Sequence, residues 1–285
     1  MQSFSVRYVI LFSLAICGVC AIFVSALAVS LADEQAVNKV LYRKQNVLLA
    51  AGLLQADEEI SAEEVEERFS RFEPMVIEIP AGEELPDVDT ATFDQRKLKN
   101  DPEMSHPAPQ NKARVSRIPN RALVYKAFDE SGALEMVVLP VEGYGLWSTL
   151  YGFLALGSDL DTIQGLAFYE HGETPGLGGE VDNPRWRKLW VGRKAFDGDT
   201  GDVAIQVIKG NAGPVEEDPH RVDGLSGATI TARGVSNMMQ LWLGEEGFGP
   251  YLDHLENQAS NGPASKPATS QTNEKSENDT QKEAA

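Results

Sequence analysis

The chain has 285 residues, 42 % of them apolar, enough for one large domain or two small ones with a genuine core. Its formal net charge of −18 excludes a nucleic-acid binder, because displacing counterions from phosphates takes clustered Lys and Arg. The only cysteines, Cys17 and Cys20, both lie in an apolar run, so the polar remainder holds neither a disulfide nor a cysteine-ligated iron-sulfur cluster.

A short N-terminal segment, residues 1–7, precedes residues 8–32, which contain no charge. As a helix this run is roughly 37 Å long against roughly 30 Å of bilayer hydrocarbon, so a transmembrane helix is predicted. Ala26-Leu27-Ala28 and Ser30-Leu31-Ala32 also fit a signal-peptide cleavage site. The length of the run and an n-region with only Arg7 favour a retained anchor. The C-x-x-C spacing reads as small apolar residues facing lipid, since hydrocarbon raises a thiol's pKa. Arg7 on one side and Lys39, Arg43 and Lys44 on the other leave the orientation undecided by charge.

Residues 33–73 read as a helical segment. Val37, Val40, Leu41, Val47, Leu48, Leu53 and Leu54 recur at helical spacing to about residue 54. A second helix is predicted from Ser61 to about Phe72, with Glu64 completing a capping box. The acidic run from Asp57 to Glu67 reads as a solvated face. Residues 74–119, rich in Pro, Asp and Glu, read as an irregular acidic linking arm, and His106 in it as a surface histidine.

The compact domain is predicted over residues 120–256. Strand-like runs at 123–128 and 134–139 flank the hairpin signal Asp129-Glu130-Ser131-Gly132, and further strands are predicted at 163–169 and 203–208. Glycine-rich turns and one strong helix complete an α/β or α+β domain. Residues 257–285 are too polar to offset the entropy of ordering and read as a disordered tail.

Two stretches carry chemistry. In Asp223-Gly224-Leu225-Ser226-Gly227-Ala228-Thr229-Ile230-Thr231 a loop of small residues opens an amphipathic helix marked by Val235, Met238, Met239 and Trp242. Such a start offers unpaired N–H groups and the positive dipole end to a phosphate, with the hydroxyls of Ser226, Thr229 and Thr231 beside it. On the residues alone, Ser and Thr there read equally as helix caps. The second stretch, His171 to Glu180, places four glycines within eight residues, so its backbone can approach a flat ligand. It is neither a P-loop nor a dinucleotide fingerprint.

These motifs resemble the C subunits of the bacterial sodium-translocating NADH:quinone reductase. The resemblance rests on Asp223 to Thr229, on Glu173-Thr174-Pro175-Gly176-Leu177-Gly178-Gly179, on Gly143 to Ser148, on Val207-Ile208-Lys209-Gly210 and on Gly247-Phe248-Gly249-Pro250. It covers roughly residues 123–252, the anchor and the helix after it. Residues 57–119 are only loosely similar, and the tail after Asn257 reads as an extension.

The resemblance implies an α/β (α+β) FMN-binding domain following one N-terminal transmembrane helix. It implies FMN held through its phosphate to Thr229, the ester being made by an FMN transferase that uses FAD and releases AMP. Asp223, Ser226, Gly227 and Ala228 would belong to the attachment sequence. Glu173, Thr174, Gly176 and Leu177 would border the flavin, with Trp147 packing beside it or in the core. Lys209 would neutralise phosphate or reduced flavin, or end a strand at the surface. His171 reads as a solvated loop residue ahead of a proton donor. No metal ligand set is predicted. The chain is then expected to relay electrons without an NADH site of its own, beside the A, B, D, E and F subunits, on the periplasmic side of the inner membrane. Two alternatives stay open: the G subunit of the related ferredoxin-linked complex, and a flavin-free membrane-anchored binding module. A hydrolase using Ser226 or Thr229 finds no His-Asp pair to support it.

Overall fold

The computed structural model describes residues 5–260. Helix α1 (Val6–Ser30) starts at Ser5, whose hydroxyl accepts the Tyr8 N–H, and buries none of its residues. It is the one described helix long and apolar enough to cross a membrane. After Leu31 the chain continues as α2 (Ala32–Ala50), exposed at first and buried from Asn46 to Leu48. Helix α3 (Ala62–Phe69) begins with the predicted reciprocal capping box of Ser61 and Glu64.

The centre is an antiparallel sheet of five strands, β1 (Phe72–Glu78), β4 (Arg121–Phe128), β5 (Leu134–Tyr144), β6 (Thr149–Gly157) and β7 (Ile163–Glu170), which lie side by side in that order. Side chains alternate between its faces. Met136 and Val138 of β5 join Val47, Leu48 and Val65 from α2 and α3 on one face. Val137, Leu139 and Val141 join the opposite core with α5 (Pro184–Lys188), α6 (Thr229–Trp242) and α7 (Gly249–Ser260). An antiparallel sheet buried on both faces between helical layers results, the mixed α and β class predicted.

Several predicted elements differ from the structure. Residues 74–119 are not an irregular arm. Most of β1 lies there and pairs with β4 in register from Phe72 opposite Ala127 to Glu78 opposite Arg121. That stretch also holds α4 (Gln95–Asn100), capped by Asp94, and the short pair β2 (Ser105–Pro107) and β3 (Arg117–Pro119). Pro74, Pro80 and the surrounding acids obscured a strand at the sheet edge, where proline is tolerated. His106 sits in β2, its Nδ1 2.9 Å from Oδ1 of Asn120. Strand β6 has no counterpart among the predicted runs. The run 203–208 shortens to β8 (Gln206–Val207), parallel to β9 (Arg221–Val222). The expected tail from 257 begins inside α7, and 261–285 lie outside the described residues.

Candidate functional site

The site forms where α6 meets the sheet. Gly143 and Gly234 let the helix approach: a Cβ on Gly143 would come within 2.8 Å of Met238, and one on Gly234 within 2.5 Å of the Tyr144 carbonyl oxygen. The Trp242 indole donates to the Glu142 carbonyl at 2.6 Å, pinning the far end of the helix.

The loop before α6 is tied down from behind. Asp223 accepts from the Ala212 amide at 2.8 Å, its carbonyl accepts from the Trp186 indole at 2.9 Å, and the Gly224 amide donates to Gly210. Asp223 thus faces the fold's interior links, and Leu225 and Ala228 are buried. Ser226, Gly227 and Thr229 are exposed. Gly227 has φ +71°, a conformation that favours glycine. The N-cap of α6 is Ala228, which makes no side-chain cap. The helix therefore keeps unsatisfied N–H groups and its positive dipole end beside the Thr229 hydroxyl. Thr231, grouped with the other hydroxyls in the sequence, is buried and donates to Glu173.

Ser226, Gly227 and Thr229 line an open cleft of about 1120 Å³. Lys209 lines it from the β8 side, Arg233 from α6 and Lys112 from the segment between β2 and β3. No Asp or Glu occurs among the described residues lining it, against a chain charge of −18. Three cations, free helix amides and an exposed hydroxyl suit a phosphate group. Arg233 was legible four residues after Thr229 on the same helix face. Lys112 was not, because only the fold brings it in.

Exposed apolar side chains also occur near this loop. Leu177 reaches Gly227, where a Cβ would stand 2.9 Å from its Cδ2. Leu177, Leu146, Ile230 and Trp147 are exposed, Trp147 by 64 %, so Trp147 is no core residue. Thr174 is exposed while its carbonyl accepts the Leu177 and Gly179 amides, and Gly176 takes φ +76° to close that turn. Such a rim suits a flat aromatic ring.

Glu173, expected to border the flavin, turns its carboxylate to the protein's own donors. The residue is 5 % exposed, and its carboxylate accepts from the amides of Leu146, Trp147 and Ser148 at 2.9–3.2 Å and from the Thr231 hydroxyl at 2.5 Å. Burial pushes its pKa up, but the hydrogen bonds outweigh it and hold the group below the usual carboxylate value. His171 pairs with Asp182 at 2.8 Å, which raises its pKa, and its other ring nitrogen meets the Glu173 amide at 3.2 Å. The histidine braces the glycine loop.

The fold and site define a class: an FMN-binding domain of mixed α and β build behind a helix long enough to cross a bilayer. The FMN-binding domain family matches residues 145–244. The C subunit of the Na(+)-translocating NADH-quinone reductase of Pseudomonas aeruginosa is 44 % identical over 250 residues, spanning 86 % of this chain and 94 % of the relative. The Yersinia pestis protein of the same name is 43 % identical, spanning 87 % and 92 %. The crystal structure of Shewanella oneidensis NqrC superposes with a TM-score of 0.68 at 38 % identity, covering 75 % of this chain and 96 % of that one. The corresponding C subunit from Parabacteroides distasonis gives 0.59 at 26 %, covering 78 % and 96 %. The chain belongs to the family of C subunits of the Na(+)-translocating NADH-quinone reductase.

Proposed function

We propose that this chain is the membrane-anchored flavin subunit of a Na(+)-translocating NADH:quinone reductase, carrying FMN as a phosphate ester on Thr229 and relaying electrons between its partner subunits. The observation that carries this reading is exposed Thr229 at the uncapped start of α6, lining a cleft with three cations and no carboxylate among its described lining residues. The family name of the relatives supplies the complex and favours it over the ferredoxin-linked alternative.

Bound FMN supplies the one-electron chemistry. The chain's own residues hold it. The α6 amides with Lys112, Lys209 and Arg233 would balance the phosphate, and Leu146, Trp147 and Leu177 would shelter one side of the ring from water. In maturation the Thr229 oxygen forms the bond to phosphorus as the pyrophosphate bond of FAD breaks and AMP leaves. The proton passes to a base of the FMN transferase, since a threonine hydroxyl is a weak nucleophile alone. As in the family, α1 would anchor the chain in the inner membrane with the domain on the periplasmic side. The A, B, D, E and F subunits would be its partners.

Mass spectrometry of the peptide containing Thr229, from cells that also make the transferase, tests the reading. Expected is a peptide heavier by one FMN ester, absent in Thr229→Val. An unmodified wild-type peptide from a colourless protein overturns it, and an ester retained in Thr229→Val moves the attachment to Ser226.

A further inference from the structure

The Glu173 carboxylate sits among three successive backbone amides and one hydroxyl that come from two different elements. The amides belong to the turn that carries Leu146 and Trp147. The hydroxyl is that of Thr231, two residues beyond Thr229 on α6. Room for the carboxylate is made by two glycines: a Cβ on Gly145 would stand 2.6 Å from Oε1, and one on Gly178 2.5 Å from Oε2. Those contacts leave no space for a side chain at either position. The loop that bears Glu173 also bears Leu177, which touches Gly227 beside the attachment point.

We propose that Glu173 is a positioning residue that locks the Trp147 turn and the glycine loop to the start of α6, fixing the apolar rim relative to the FMN on Thr229. The proposal rests on the reading that Thr229 carries FMN. A buried carboxylate with charge-assisted hydrogen bonds is a stiff connector, because each bond to it is stronger than its neutral counterpart and the group cannot turn without breaking several. Its fixed negative charge also opposes adding an electron nearby, since it is screened far less than a surface charge. Glu173→Gln keeps the size but removes the charge, and its amide group would present donors to the donors already there.

The experiment uses the full chain, made with and without an FMN transferase. Without the transferase, Glu173→Gln is expected to speed hydrogen exchange at the amides of 146–148 at least tenfold. With it, the ester on Thr229 is expected to form, the anisotropy of flavin emission to fall, and the midpoint potential to rise by a tenfold change in the reduction equilibrium, about 59 mV for one electron. Thr231→Val keeps the charge and cuts only the link to α6. It is expected to lower the anisotropy as well, and it carries the test should Glu173→Gln not fold. An ester in place with anisotropy or potential at the wild-type value in Glu173→Gln, or with wild-type anisotropy in Thr231→Val, overturns the proposal alone. A wild-type chain with no ester on Thr229 removes the functional reading, and this proposal with it.

Discussion

The backbone of Gly234 lies against the carbonyl of Tyr144, so close that a Cβ on the glycine would stand 2.5 Å from that oxygen and 3.2 Å from the Gly145 Cα. This approach seats α6 on the strand that leads into the Trp147 turn. The two sides of the candidate site therefore share one rigid support.

Gly234→Ala tests that support. Helix propensity alone would favour alanine by roughly 1 kcal/mol. Contact with backbone atoms that cannot rotate away costs about 2–3 kcal/mol, the upper part of the overpacking range, and it outweighs that gain. The variant should melt lower by about 2–8 °C. A Tm at or above the wild-type value would mean that α6 can step back from the sheet at no cost.

Neutralising the cleft should impair cofactor loading and leave folding intact. Lys209 and Arg233 are exposed, so each contributes roughly 0.5–1 kcal/mol toward a phosphate. Lys209→Gln with Arg233→Gln is expected to reduce the fraction of chains bearing FMN by about tenfold at limiting transferase, read by mass spectrometry. A yield unchanged at low salt would show that the transferase alone positions the phosphate.

Acid should release the Glu173 connection. Its pKa in the fold is held below the ordinary 4.5, because the Thr231 and backbone hydrogen bonds outweigh the upward push of burial. A depressed carboxylate stabilises the fold above its unfolded value, and that stabilisation is lost as pH falls through the folded value. Thermal unfolding should therefore separate wild type from Glu173→Gln at pH 6 and bring them together as pH drops below 4.5. Curves that stay parallel throughout would show that the ionised form makes no net contribution.

A chain truncated to begin at residue 120, where the sequence places the domain boundary, should fail to fold. It loses β1, whose Met75, Val76 and Ile77 are buried. Each contributes about 1.5–3 kcal/mol, a large share of the roughly 5–15 kcal/mol that a domain has in total. It also loses α2 and α3, uncovering one face of the sheet. A monomeric, cooperatively melting product would contradict this account of the core.

Much of the fold was legible because local signals were strong there. The capping box at Ser61, the hairpin at Asp129–Gly132 and the apolar stripe of α6 each depend on residues a few positions apart. Strand β1 was not legible, since its pairing partner β4 begins more than forty residues later and its composition resembles a linker. In the site, the loop before α6, Lys209, Leu177 and Trp147 were all singled out; the structure puts Lys209 in the cleft with Thr229 and Leu177 against Gly227, and ties the Trp147 amide to Glu173. Arg233 and Lys112 were missed, and Glu173 was assigned to the ligand rather than to the protein's own amides.

The sequence by itself determined the apolar first helix, the helix start at Thr229, the glycine loop and, through resemblance, the family to which they belong. These are properties of residue type and short spacing. Only the tertiary structure decided which way the polar groups face. It turned Glu173 and Thr231 inward to pair with each other, tied half-buried Asp223 to the Ala212 amide, and left Thr229 exposed in one cleft with Lys112, Lys209 and Arg233. That division follows from the cost of an unpaired buried polar group, which is settled by partners far away in the chain.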